Sequence, residues 1–409
     1  MNYSTFKTNN KLIGSIIKFN RISQGLNQKT LSQGICVPSY LSRIEKGELI
    51  PSEELLSDLF NRLGLKFNDS HNFINTGSEL FKLFFLKLYN NEFDDTTKIY
   101  DKIQLSEKEY MTSPLILDYL LVKLARFCAT ECREEFKSSK DMIESSLDLL
   151  SSSQKHLFYF YIGVDELILS SDKSIGKSYV EQAIMYKETG HCFFWLSYAY
   201  RTKNNPIKAY DCIQKALSLY VTEGNIISIM DTYEKFAEVY FLLDTYEDAI
   251  TYLNMAQNIA AKFNNLNFIE HLNSLLAWTY YRIKNFTKAL HYIKSNTGVM
   301  DHRLRIPDNL ILCLIYFESS DRTLLHTTLP TLYQPECLQQ IHKPLADLLF
   351  SFFSYYIDNE NYIKMPYCEE LLLDIIYNLS TFVELKKVFT DLLKNYYIQN
   401  RRYKDALYI

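Results

Sequence analysis

Apolar residues first recur at helical spacing in Leu12, Ile13, Ile16, Ile17 and Phe19, with Lys11, Lys18 and Arg21 among the polar positions. The pattern predicts a helix that Gly25 interrupts. Asn27 then stands where an N-cap belongs, ahead of the short run QKTLSQG with Gln28 in its first turn. A tight turn through Gly34, Ile35, Cys36 and Val37 leads into PSYLSRIEKG. There Pro38 suits the first turn of a helix and Gly47 a left-handed stop. Leu41 and Ile44 are expected to face inward with Ile17, Leu31 and Ile35. Pro51-Ser52-Glu53-Glu54 opens a further helix, whose Leu55, Leu59 and Leu63 close the bundle. Two short helices joined by a tight turn, with three supporting helices, describe a five-helix helix-turn-helix domain over residues 1–70.

Beyond residue 75 the pattern repeats with a period of 40 residues. Tyr200, Tyr240 and Tyr280 recur at that interval, as do Ala209, Ala249 and Ala289; Ala216 and Ala256 are matched by Asn296. In each unit a helix ends near the Tyr, a polar turn follows (TKNNPIKAY, LLDTYEDAI, RIKNFTKAL), and a second helix begins. Small Ala at the crossing lets paired helices approach closely, with Ile207, Tyr246 and Phe286 expected to fill the gap beside it. Weaker copies read over 78–103, 114–150, 154–187 and 308–378. The ending NYYIQNRRYKDALYI regains the signature with Tyr397, Tyr403 and Ala406, as a capping unit would. The units resemble tetratricopeptide repeats with lengthened helices. The whole is therefore expected to be all-α: the helix-turn-helix domain, then over 75–409 a tetratricopeptide-like right-handed superhelix of about eight helical pairs with a concave groove.

The third helix of the head would enter a DNA major groove. Its outward positions are Pro38, Ser39, Tyr40, Ser42, Arg43 and Lys46. Arg43 has the paired donors that match guanine, and Ser39 bonds a base or a phosphate. Gln28, with the amides of its helix N-terminus and Lys29 beside it, would hold a backbone phosphate. A helix-turn-helix kept only for protein contacts is the alternative, and the polar identities at Gln28, Ser39, Ser42, Arg43 and Lys46 weigh against it. At these residues the chain resembles the phage-repressor (Xre-like) helix-turn-helix. The stretch LNQKTLSQGICVPSYLSRIEKGELIPS is most similar to the peptide-pheromone-sensing transcription regulators of the PlcR, NprR and Rgg type. A 40-residue repeat is typical of that group, and the resemblance implies a repeat domain that senses a peptide.

One stripe along the first helices of the three strong units runs His191, Phe194, Tyr198, Arg201, then Asp231, Glu234, Glu238, Phe241, then His271, Ser274, Trp278, Tyr281. If those helices line the concave face, a peptide-binding set follows: Tyr198, Arg201, Asp231, Glu234, Glu238, Phe241, His271, Ser274, Trp278 and Tyr281. Acids suit an amine, Arg201 a carboxylate, and rings apolar side chains. An ordinary solvated face is the competing reading.

Composition changes this picture little. Gly (11) and Pro (9) are scarce among 409 residues, and hydrophobic residues reach 47%, which favours packed helices over disorder. The net charge of −4 is unfavourable for a nucleic-acid binder as a whole. Residues 1–70, however, hold nine basic against six acidic residues, leaving the remainder at −7. Eight cysteines show no CxxC pair; Cys128 and Cys132, four apart, are expected on one helical face as buried thiols. The start MNYSTFKTNNK lacks a signal-peptide core and no long apolar run occurs, which points to the cytoplasm and no membrane partner. Gly176-Lys177-Ser178 is no phosphate loop, since Ser171 stands where one needs glycine. No HExxH, GxSxG or GxGxxG occurs, so neither an enzyme nor a cofactor or metal is expected. The expected partners are double-stranded DNA carrying a pseudo-palindromic operator, a short signalling peptide and a second copy of the chain in a homodimer. Two alternatives stay open: a repeat scaffold acting on a signalling protein, and a regulator whose repeats only dimerise.

Overall fold

The computed structural model describes residues 10–68, 70–128, 132–296, 306–379 and 383–409. Most of the polar start, with Lys7, and Asp69 of the head lie outside these residues. The chain divides into two compact units, Met1–Ser228 and Ile229–Ile409. Among the described residues every regular element is helical.

In the head, α1 (Asn10–Ser23) buries Ile13, Ile16, Ile17 and Phe19. The short α2 (Gln28–Ser32) starts where expected: the Asn27 side chain accepts from the Thr30 backbone N–H. Pro38 opens α3 (Pro38–Glu45), which buries Leu41 and Ile44, and Ser52 caps α4 (Glu53–Arg62) by accepting from the Leu55 N–H. Gly47 ends α3 at φ 70°, and the Glu48 N–H reaches back to the Arg43 carbonyl at 2.9 Å. This is the left-handed closure that only glycine adopts cheaply. At Gly14 the demand is steric: a Cβ there would sit 2.2 Å from the Ile44 carbonyl oxygen, so α1 and α3 cross backbone against side-chain-free backbone. Among the described residues of the head, four helices occupy residues 10–62; the next, α5 (His71–Tyr89), begins beyond the head.

The remainder of the first unit is α5, α6 (Phe93–Gln104), the short α7 (Glu107–Tyr110), α8 (Ile116–Phe127), α9 (Arg133–Glu144), α10 (Ser152–Leu169), α11 (Lys173–Tyr186), α12 (Gly190–Thr202) and α13 (Pro206–Glu223). The head does not keep a core of its own. Ile13, Ile17, Leu31, Leu41 and Phe60 belong to one apolar cluster with Ile116, Leu120, Leu124, Phe136 and Phe158. Polar ties reinforce it: Ser15 to Ser146 at 3.0 Å, Asn20 Nδ2 to the Met111 carbonyl at 2.9 Å, and the Asn68 N–H to the Thr112 carbonyl at 3.0 Å. Lys11 also pairs with Asp148.

The expectation for Cys128 and Cys132 fails here. Cys128 terminates α8 and Cys132 precedes α9, so they share no helical face, and Cys132 is exposed. They stand at the ends of two different helices, which a spacing of four cannot reveal. Gly176-Lys177-Ser178 lies inside α11, where Gly176 lets that helix cross α10 closely.

The second unit opens within α14 (Ile226–Leu242). It continues with α15 (Tyr246–Lys262), α16 (Leu266–Arg282), α17 (Phe286–Lys294), α18 (Asp308–Glu318) and α19 (Arg322–Thr328). Then follow α20 (Pro335–Asp358), broken at His342 ahead of Pro344, α21 (Pro366–Asn378), α22 (Val383–Gln399) and α23 (Tyr403–Leu407). Nine helical pairs follow the head among the described residues, against about eight expected.

The 40-residue period is a period of backbone geometry. Asn204, Asp244 and Lys284 all have positive φ, at 52°, 56° and 61°. In each turn the N–H one residue on returns to the carbonyl of Tyr200, Tyr240 or Tyr280, at 3.0, 3.0 and 2.9 Å. Asn91, Ser320 and Arg401 repeat the same turn in the weaker units. Ala209, Ala249 and Ala289 are fully buried at the helix crossings. Ile207 is a correction: it is 71% exposed, because the period aligns Tyr246 and Phe286 with Pro206.

Candidate functional sites

The inner face of α3 is set by Leu41, Ile44 and Glu45, three and four residues apart. The opposite face leaves Pro38, Ser39, Arg43 and Lys46 exposed, with Tyr40 and Ser42 partly so; Lys29 of α2 is also exposed. These are the positions expected to meet DNA, and the fold gathers them around one helix-turn-helix. Arg43 is engaged only loosely, 3.6 Å from Glu48, with both side chains about half exposed. An ion pair that open to water contributes little and yields readily to a competing acceptor.

Beneath this surface lies a polar cluster that the sequence pattern missed. Arg21 Nε and Nη2 donate to the two carboxylate oxygens of Glu45 at 2.6 and 2.9 Å, and Nη1 donates to the Leu26 carbonyl at 2.8 Å. Gln28 Nε2 adds a further bond to Glu45 at 2.8 Å. The amide expected to hold a phosphate is therefore committed inward. What it does is fix the start of α2 against the end of α3. Register held the available signal: Glu45, four residues after Leu41, falls on the inward stripe, where a lone carboxylate requires a buried cation.

The stripe expected to bind peptide is placed differently in the two units. In the first, Tyr198 and Arg201 are partly exposed on α12, with the guanidinium 5.4 Å from the Tyr198 ring centroid. In the second, Glu234, Phe241, His271, Ser274, Trp278 and Tyr281 are all buried. Asp231 and Glu238 are partly exposed. Lys235 donates to Glu234 and Glu238 at 2.9 Å each, and His271 Nε2 lies 3.1 Å from Glu234. Trp278, 2% exposed, packs its ring 5.3 Å from that of Tyr281, whose hydroxyl donates to Glu318. An open run of charged and aromatic surface is therefore not what these residues form. Buried positions occur all round α16, so spacing alone could not tell a lining face from a packed one.

Beside this stripe the second unit carries a ladder of amides. Gln257 Nε2 donates to Asn273 Oδ1 at 2.7 Å, and Asn273 Nδ2 to Asn296 Oδ1 at 3.0 Å. Asn296 Nδ2 reaches Ser274 Oγ at 3.1 Å and Asp308 Oδ2 at 2.8 Å. Asn296 occupies the place that Ala216 and Ala256 hold in the preceding repeats, so a packing position has become a polar one. That break in the period was visible in the sequence; its partners were not. Among the described residues no cluster of His, Cys, Asp or Glu could hold a metal, and no helix is long and apolar enough to cross a membrane.

Residues 17–69 match the helix-turn-helix family model HTH_3. The transcriptional activator NprA of Geobacillus stearothermophilus is 21% identical over 281 residues, which is 65% of this chain and 69% of NprA. A helix-turn-helix match at the head thus precedes an all-helical array among the described residues. Solved structures share that fold. A Rap protein complexed with Competence and Sporulation Factor superposes with a TM-score of 0.60 at 12% identity, over 82% of this chain and 95% of that one. NprR in complex with its cognate peptide NprX gives 0.56 at 15% identity, over 80% and 97%. None of the three is named for a reaction.

Proposed function

We propose that this protein is a DNA-binding transcription regulator controlled by a short signalling peptide taken up by its repeats. The observation that carries the first half is the outer face of α3, where Ser39, Arg43 and Lys46 stand exposed on a helix whose other face is locked into the core. The likeness to NprA supports it. The peptide half draws on NprR, whose structure holds its cognate peptide, and on Rap, whose structure holds Competence and Sporulation Factor.

For the peptide, the amide ladder is a better lining than the aromatic stripe. An extended backbone offers one donor and one acceptor per residue. A primary amide supplies both, so Gln257, Asn273 and Asn296 have the chemistry to exchange bonds with each other for bonds with a peptide. A homodimer is the expected assembly. Tyr377, Tyr403, Leu407 and Tyr408 each stand exposed, apolar side chains available to a second copy. Two heads would then read half-sites about 34 Å apart or a multiple of it, in a pseudo-palindrome.

The test is selection of bound duplexes from random DNA by the full-length protein, with and without an extract of spent growth medium. An enriched pseudo-palindrome whose recovery changes with the extract supports both halves. No enrichment under either condition overturns DNA binding and leaves the repeats as a protein-binding scaffold. Arg43→Ala should weaken binding to the selected sequence by about 1–3 kcal/mol if it reads a base.

A further inference from the structure

Val37 is 62% exposed at the N-cap of α3, yet nothing in the head uses its side chain. Valine is also a poor residue there, since Ser, Thr, Asp or Asn would satisfy a free N–H and Val37 makes no side-chain cap. Its backbone, by contrast, is firmly held. The Val37 carbonyl accepts the N–H groups of Tyr40 and Leu41 at 2.9 and 3.2 Å. The turn before it is pinned by the Cys36 N–H on the Ser32 carbonyl at 3.0 Å and by Arg62 Nη1 on the Gln33 carbonyl at 2.7 Å. Around it Gln33, Gly34, Pro38 and Ser39 are exposed and uncharged, and the space beside Gly34 is open. The tip is thus a small, rigid and partly apolar surface flanked in sequence by Lys29 and Arg43, with the exposed Arg62 guanidinium on its Gln33 carbonyl. Cations belong against phosphates; an apolar tip belongs against the groove floor. The apolar feature of that floor is the C5-methyl group of thymine.

We infer that Val37 is a base-reading residue that selects thymine by packing its isopropyl group on the C5-methyl, at a position next to the bases met by Ser39 and Arg43. The inference rests on the DNA-binding reading above. Preference arises because burying one methyl against another is favourable, while cytosine and guanine present a polar edge there.

The experiment starts from a duplex selected by the full-length protein. Each thymine of one half-site is replaced in turn by deoxyuridine, which removes the methyl and leaves base pairing unchanged, and affinity is read by fluorescence anisotropy. At one thymine the wild-type protein should lose about three- to fivefold in affinity, the worth of one buried methyl. Val37→Ala should bind the unmodified duplex more weakly by a similar factor and lose nothing more at that deoxyuridine. Matching thermal unfolding of Val37→Ala and wild type confirms that the fold is intact, and the deoxyuridine scan on the wild type needs no variant. A flat scan, or an equal deoxyuridine penalty in wild type and Val37→Ala, overturns the role of Val37 while DNA binding stands. Failure to select any duplex overturns the DNA-binding reading itself, and the role of Val37 with it.

Discussion

Glu45 sits with its side chain almost wholly enclosed and accepts three charge-assisted or amide hydrogen bonds from Arg21 and Gln28. Removing one partner of such a pair strands a buried charge, so Glu45→Ala should cost about 3–5 kcal/mol. Urea unfolding of the whole protein measures it, and a loss well under 1 kcal/mol would mean the pair is wet. Gln28→Ala should act in the same direction, more weakly, and should lower DNA affinity by loosening α2. His191 is the second instructive residue. Its ring stacks on Tyr89 at 4.2 Å, its Nδ1 lies 2.9 Å from the Tyr220 hydroxyl, and burial pushes its pKa down to about 3. The folded state therefore holds this proton less tightly than the unfolded chain, whose histidine titrates near 6.5. The stabilisation is complete above about pH 6.5 and is lost progressively as pH falls from there toward 3. Urea midpoints between pH 7.5 and 5 should fall more steeply in the wild type than in His191→Asn; parallel curves would count against it.

Helices, caps and turns were legible one element at a time, because each obeys local chemistry. Asn27, Pro38, Gly47 and Ser52 mark their helix ends as residues of those types must, and the Tyr and Ala spacing alone marks the repeat. Local chemistry does not say how close two elements come. Gly14 is one position inside an amphipathic run, yet its missing side chain is what lets α1 reach the Ile44 carbonyl. Gly14→Ala should separate α1 from α3 and destabilise the protein by about 1–3 kcal/mol or more, although alanine is the better helix former. Thermal unfolding measures it, and an unchanged or higher midpoint would show that the crossing has slack. The peptide stripe failed for the related reason that helical spacing gives a face without saying what covers it. Trp278 and Tyr281 are interior residues, so Trp278→Ala now belongs with the core truncations, at about 3–5 kcal/mol.

At the scale of the chain, the head and the first repeats form a single packed unit through residue 228. A fragment of residues 1–70 would expose the side of Ile13, Ile17 and Phe60 that joins Ile116, Leu120 and Phe158. A fragment of residues 1–228 should therefore unfold cooperatively, with the shorter one unfolding at markedly lower urea, as circular dichroism would record. Equal midpoints would make the head autonomous. Sequence showed two kinds of pattern, helix-turn-helix and repeat, but shared burial leaves no mark on either segment alone. The regular turn at Asn204, Asp244 and Lys284 bears, finally, on how a gene for such a chain can lengthen or shorten. A copying slip that gains or loses one whole period joins one left-handed turn to its equivalent, so the new junction already has its hydrogen bond and its buried alanine. A slip of any other length sets a helix interior against a turn. Selection among such slips favours descendants that differ by whole pairs of helices, offering inherited variation in reach without any invention of new joints.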